Sequence, residues 1–218
     1  MRTVKKGKKG FTLVEVLIAG GLGVLILGMI FSFFTRTTRI TARGTLRTDM
    51  QQAAMRVMTS ISRDLELSAV SGVSIDGGTA AGDPVRMGIV PILNVLDDGT
   101  QQWDNRLTVY SWSSRGSPVI KKAWKNGDPP ALAVPLSLNG LMPLRVSGIV
   151  LSSVAGEPGL QAQILANGVT SFEITHNGVG SSVEPPVTVT IELERSGNTG
   201  STGTEKYRLT NKFTVRNQ

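Results

Sequence analysis

Residues 11–34, Phe-Thr-Leu-Val-Glu-Val-Leu-Ile-Ala-Gly-Gly-Leu-Gly-Val-Leu-Ile-Leu-Gly-Met-Ile-Phe-Ser-Phe-Phe, carry a single charge, Glu15. As a helix, this run is about 36 Å long, enough to cross a hydrocarbon layer of about 30 Å. A secretory signal has a shorter apolar core, about 7–15 residues, followed by a small-residue cleavage site. Here no A-x-A-like site follows. The candidate processing site lies before the run, at Gly10/Phe11. A protease acting there works on the cytoplasmic side and leaves the apolar segment on the product.

Glu15 is the anomaly in this run. An acid in a membrane helix is costly and usually has a partner. Cleavage after Gly10 would create an α-ammonium group on Phe11. That cation can pair with Glu15 of a neighbouring chain shifted by about one helical turn, which gives a reason for an acid at the fifth position of a processed chain.

The formal charge of +7 resembles a nucleic-acid signal but is concentrated at one end. Arg2, Lys5, Lys6, Lys8 and Lys9 supply five of the seven charges, leaving +2 for the rest. A broad phosphate-binding face is not expected, so direct nucleic-acid binding is not the expected function. Five cations precede the run and Arg36, Arg39, Arg43 and Arg47 follow it, so the positive-inside rule favours a cytoplasmic N-terminus only narrowly.

The helical pattern continues past the apolar run. Leu46, Met50, Ala54, Val57, Ile61 and Leu65 recur at spacings of three and four, an amphipathic stripe. No proline interrupts residues 11–70. One helix from Phe11 to about Leu67 is predicted, roughly 85 Å long. The four arginines fall on the side of the later apolar stripe. Gly20, Gly21, Gly23 and Gly28 sit in the membrane half, where glycine is common.

From about Ser71 turn signals crowd in: Asp76-Gly77-Gly78, Asp98-Gly99, Asn126-Gly127-Asp128-Pro129-Pro130, Asn139-Gly140, Asn167-Gly168, Asn177-Gly178 and Gly197-Asn198-Thr199-Gly200. Between them are β-prone runs. Val187, Val189, Ile191 and Leu193 alternate with Thr188, Thr190, Glu192 and Glu194. Tyr207, Leu209, Phe213 and Val215 alternate with Lys206, Arg208, Lys212 and Thr214. These two runs predict paired antiparallel strands with acids facing bases. Further strands are predicted at 85–92, 106–112, 119–124, 144–151, 160–165 and 169–175. The fold class is α+β: a leader at 1–10, a long helix at 11–70 with 11–34 in the membrane, and an antiparallel β-rich domain at 71–218.

The string Gly10-Phe11-Thr12-Leu13-Val14-Glu15, after a basic leader and before about twenty apolar residues, resembles the class III prepilin signal of type IV pilins and type II secretion pseudopilins. Met58-Thr59-Ser60-Ile61-Ser62-Arg63-Asp64-Leu65, Asp104-Asn105-Arg106-Leu107-Thr108-Val109-Tyr110 and Val215-Arg216-Asn217 resemble, more weakly, stretches of PilW-like minor pilins and J-type minor pseudopilins. The resemblance implies cleavage by prepilin peptidase between Gly10 and Phe11, and N-methylation of Phe11. It implies that Glu15 positions the subunit during filament assembly. It also implies a cytoplasmic N-terminus in the inner membrane, followed by extraction into a periplasmic or extracellular filament among other pilin or pseudopilin subunits. A type IV pilus minor pilin is the first reading, and a type II secretion or competence (DNA-uptake) pseudopilin the second. An uncleaved single-pass anchor carrying a binding domain is the reading from another class.

Catalytic signatures are absent from the sequence. It has no G-x-S-x-G elbow, no Walker-type loop and no cysteine. No cofactor is expected, and the chain reads as a structural subunit rather than an enzyme. The lone histidine, His176, is predicted at a strand end beside a turn. Asn94, Asp97, Asp98 and Asp104 have oxygen ligands suited to calcium, but without EF-hand spacing they read first as an acidic turn. Trp103, Trp112 and Trp124 are expected in the core or at a partner contact.

Overall fold

A computed structural model describes residues 10–77, 83–131, 145–178, 183–196 and 203–215. Residues 1–9 of the expected leader at 1–10, the turn signals at Gly78, Asn139-Gly140 and Gly197–Gly200, and Arg216-Asn217 lie outside the described residues.

Helix α1, Leu13–Glu66, is continuous over 54 residues, about 80 Å. Its two halves have different surroundings. No residue from Phe11 to Phe34 is buried, and an 18-residue window of this helix is apolar enough to cross a membrane while remaining wholly uncovered by the rest of the chain. In the second half Met50, Ala53, Ala54, Val57, Met58, Ile61 and Leu65 are buried. Of the predicted stripe, Leu46 alone is only half-buried. The stripe anchors the helix because each apolar side chain removed from water contributes about 1.5–3 kcal/mol.

The strands are β1 Val73–Gly77, β2 Val85–Ile89, β3 Ile92–Val95, β4 Gln101–Trp103, β5 Arg106–Trp112 and β6 Val119–Lys125. They continue, after helix α2 Gly148–Gly156, with β7 Ala162–Ala166, β8 Val169–Thr175, β9 Val187–Ser196 and β10 Thr204–Phe213. A five-stranded antiparallel sheet runs in the order β1-β2-β5-β6-β7, and a three-stranded one β10-β9-β8. The main core gathers the second half of α1 with Met87, Tyr110 and Trp112 of the first sheet and Phe172, Val189 and Ile191 of the second. A second core holds Leu107, Val109 and Trp124 against Leu151 and Val154 of α2. The five-stranded sheet therefore has α1 on one face and α2 on the other, as the two-residue alternation of strand side chains requires.

The predicted β9–β10 pairing is present, with Glu194 opposite Lys206 and Glu192 opposite Arg208. The Arg208–Glu192 ion pair is 3.3 Å and Lys206–Glu194 is 3.9 Å. All three tryptophans are buried. Trp124 Nε1–H donates to the carbonyls of Asp128 and Pro130, at 3.0 and 3.1 Å.

Three strand expectations need correction. The run 85–92 is two strands, since Pro91 has no N–H to give a ladder and the chain leaves β2 after Ile89. The strand at 160–165 begins at Ala162. The described part of 144–151 is not a strand: residues 145–147 are irregular and Gly148 begins α2. Its Val and Ile content favours a strand, but Leu151 and Val154 lie three apart and pack as one helical face. Ser147 caps the start by accepting from Val150 N–H at 3.5 Å. The other end is held by Lys122, 7% exposed, whose ammonium donates to the carbonyls of Ala155 and Glu157 at 2.8 and 2.6 Å. A cation there also complements the helix dipole. Gly88 lets α2 approach the sheet, since a Cβ at that position would lie 2.5 Å from Leu151 Cδ2.

Candidate functional site

Two regions contain the residues singled out by sequence. The first is the start of α1. Gly10 is exposed with open space where a Cβ would stand, and Phe11 is 86% exposed. Thr12 is the N-cap in extended geometry. Its N–H and its hydroxyl both donate to Glu15 Oε2, at 2.9 and 3.0 Å, and its Oγ1 accepts from Glu15 N–H at 3.3 Å. This is a reciprocal capping box, satisfying backbone donors that have no partner in the first turn.

The capping role of Glu15 had a plain signal that the sequence reading missed. Thr12-Leu13-Val14-Glu15 matches the S/T-x-x-E pattern ahead of an apolar run. The acid therefore has an intramolecular function before any neighbour is considered. Both local bonds use Oε2, and a carboxylate has lone pairs on both oxygens. Hydrolysis of the Gly10–Phe11 bond would leave the Thr12 amide intact, so this cap is compatible with a processed chain.

The second region lies where α1 crosses β5 and β6. It brings together two of the segments quoted above, 58–65 and 104–110. Tyr110 Oη donates to Asp64 Oδ2 at 2.7 Å and is 2.8 Å from Ser60 Oγ. Lys121 of β6 makes an ion pair with Asp64 at 2.7 Å and donates to Ser60 Oγ at 3.3 Å. Its ammonium also lies 5.4 Å from the Tyr110 ring centroid, within cation–π range.

Burial pushes the Tyr110 phenol well above its ordinary value; the Ser60 bond opposes this, while the bond and charge of Asp64 add to the rise. The arrangement locks helix to sheet. The same burial and the Asp64 contact hold the phenol protonated. The pH dependence follows. A phenol whose pKa is raised on folding stabilises the fold fully below its unfolded value near 10. That stability is lost as pH rises above it. Chemical-denaturant titrations should show stability falling above about pH 10, and Tyr110→Phe should flatten that fall.

Two of the residues read first as an acidic turn, Asp98 and Asp104, take separate partners. Asp104 is engaged by Arg106 at 2.6 Å, and Asp98 Oδ1 accepts from Thr100 N–H at 2.8 Å in a local turn. That backbone bond from Thr100, followed by its side chain, holds the Asp98 carboxyl below its ordinary value. Among the described residues, no three His, Asp or Glu side chains are close enough to hold a metal. His176 follows β8 at a turn, where its Nδ1 accepts from Gly178 N–H at 3.1 Å.

The class defined by this architecture is an α+β protein whose N-terminal helix is long and apolar enough to span a membrane, with its second half packed on antiparallel sheets. No family model, curated protein or solved structure matches the chain.

Proposed function

We propose that the chain is a structural minor subunit of a type IV pilus. It is made with the basic leader, held in the inner membrane, cut between Gly10 and Phe11 by prepilin peptidase, and methylated on Phe11. It then joins the filament or its tip complex. One observation carries this reading: a wholly uncovered apolar half-helix with an acid at its start continues, unbroken, into a half-helix clamped to a β-domain. Lateral packing of such half-helices buries what a single chain leaves exposed. The Thr12 bonds use Oε2, and Oε1 of Glu15 offers a second acceptor to the ammonium of an adjacent subunit. A charge in an apolar setting is tolerated when paired, so this contact sets axial register.

Intact-mass measurement of the native protein tests the proposal. The mature species should lack residues 1–10 and carry one added methyl group on Phe11. Replacing Gly10 with a bulky residue should abolish this processing. A native protein that retains its first ten residues would reject the filament reading in favour of an uncleaved anchor.

A further inference from the structure

The five-stranded sheet ends on β7, Ala162-Gln163-Ile164-Leu165-Ala166, which among the described residues pairs only with β6. Edge strands are usually shielded by charge, proline, bulges or a covering segment, because their unpaired backbone groups invite another strand. The other outer strands of the two larger sheets carry such protection. On β1, Ser74 Oγ accepts from Val146 N–H at 3.0 Å and Gly148 packs on Asp76. β10 carries Lys206, Arg208 and Lys212, while β8 carries Glu173 and its Val169 carbonyl accepts from Gly116 N–H at 2.7 Å. β7 has neither charge nor proline. Its one irregularity, the extra residue Leu165 opposite β6, leaves 162–164 regular. Those three residues are exposed, and Ile164 is 55% exposed.

Beside this edge runs a cleft of about 870 Å³, lined by Met55, Arg56, Thr59, Arg63, Leu67 and Gln163 among others. Met55 and Leu67 are 53% and 55% exposed. Arg56 and Arg63 lie two helical turns apart on one face and are exposed. Among the described residues, neither has an ion partner, because the nearby Asp64 is engaged by Lys121. The cleft thus combines an open strand edge, apolar contact area and two unneutralised guanidinium groups.

We propose that β7 and this cleft bind an extended acidic segment of another protein, which adds to the sheet as a sixth strand. Its carboxylates, on alternate residues, face Arg56 and Arg63, and its apolar side chains lie on the opposite face beside Ile164. Backbone pairing supplies affinity and the alternate side chains supply selectivity. A second copy of β7 is the wrong occupant, since its sequence has no carboxylate to meet the arginines. The proposal does not depend on the filament reading.

The test uses the full chain in detergent micelles and a fluorescent peptide of about eight residues alternating Glu and Val, followed by anisotropy. Saturable binding is expected. A Lys-Val peptide should bind at least about tenfold more weakly, as should a Glu-Val peptide N-methylated at every residue, which keeps charge but has no N–H left on either edge to pair as a strand. Arg56→Glu with Arg63→Glu should reverse the preference between the Glu and Lys peptides. Absence of saturable Glu-Val binding overturns the proposal. So does equal binding of the N-methylated peptide, or unchanged preference in a double variant whose unfolding curve matches that of the unaltered chain.

Discussion

Under the proposed filament role, Glu15→Gln is expected to preserve the start of α1 and leave cleavage intact, yet reduce recovery in sheared filaments at least about tenfold, the scale of an unpaired charge in an apolar setting. The amide can still accept from Thr12, because Gln substitutes for Glu in a capping box. It cannot neutralise the Phe11 ammonium of a neighbour. Glu15→Ala and Glu15→Val should lose both functions and fare no better than Glu15→Gln. Immunoblots of the filament and membrane fractions, with intact mass to confirm processing, make the measurement. If Glu15→Gln enters filaments normally while Glu15→Ala does not, the acid acts through the cap that Thr12 completes, and the register argument fails.

Asp64→Ala should lower stability by about 2–4 kcal/mol, somewhat below the range for a fully buried pair broken on one side. The side chains of Asp64 and Lys121 are 16% and 22% exposed, so solvent screens part of the loss. The variant leaves the Lys121 ammonium without its counter-charge and Tyr110 without its carboxylate acceptor. For a domain of this size the melting temperature should fall by roughly 2–4 °C per kcal/mol. Lys121→Met should cost less, because it removes the charge that needs a partner and keeps an apolar stem against the tyrosine. The double variant should be less destabilised than the sum of the two. Strict additivity in a thermal-unfolding cycle would show that the pair does not lock α1 to the sheet.

These two sites differ in how readable they were. The Thr12–Glu15 box spans four consecutive residues, so its geometry was legible although the reading looked past it toward a neighbouring chain. The cluster of Ser60, Asp64, Tyr110 and Lys121 spans 61 positions, from Ser60 to Lys121. Ser60, Asp64 and Tyr110 lie in short resembling segments and Lys121 in a predicted strand, with no local indication that they meet. The segment at 144–151 failed for a related reason. Val and Ile there score as strand, while the contact of Leu151 and Val154 with Leu107 and Val109 holds the described turn as helix. Asp98 and Asp104 are near in sequence, yet each carboxylate turns to a different partner, Thr100 and Arg106.

By itself the sequence determined the long helix, its division into an uncovered apolar half and an amphipathic half, and the charged pairing of β9 with β10. These depend on periodicity and on neighbours a few residues apart, which the chain states directly. Only the tertiary structure decided that α1 and α2 take opposite faces of one sheet, that Asp64 meets Lys121, and that β7 is, among the described residues, an uncharged edge beside Arg56 and Arg63. Those outcomes depend on which distant surfaces bury one another, a choice made by packing over the whole domain and not encoded in any local pattern.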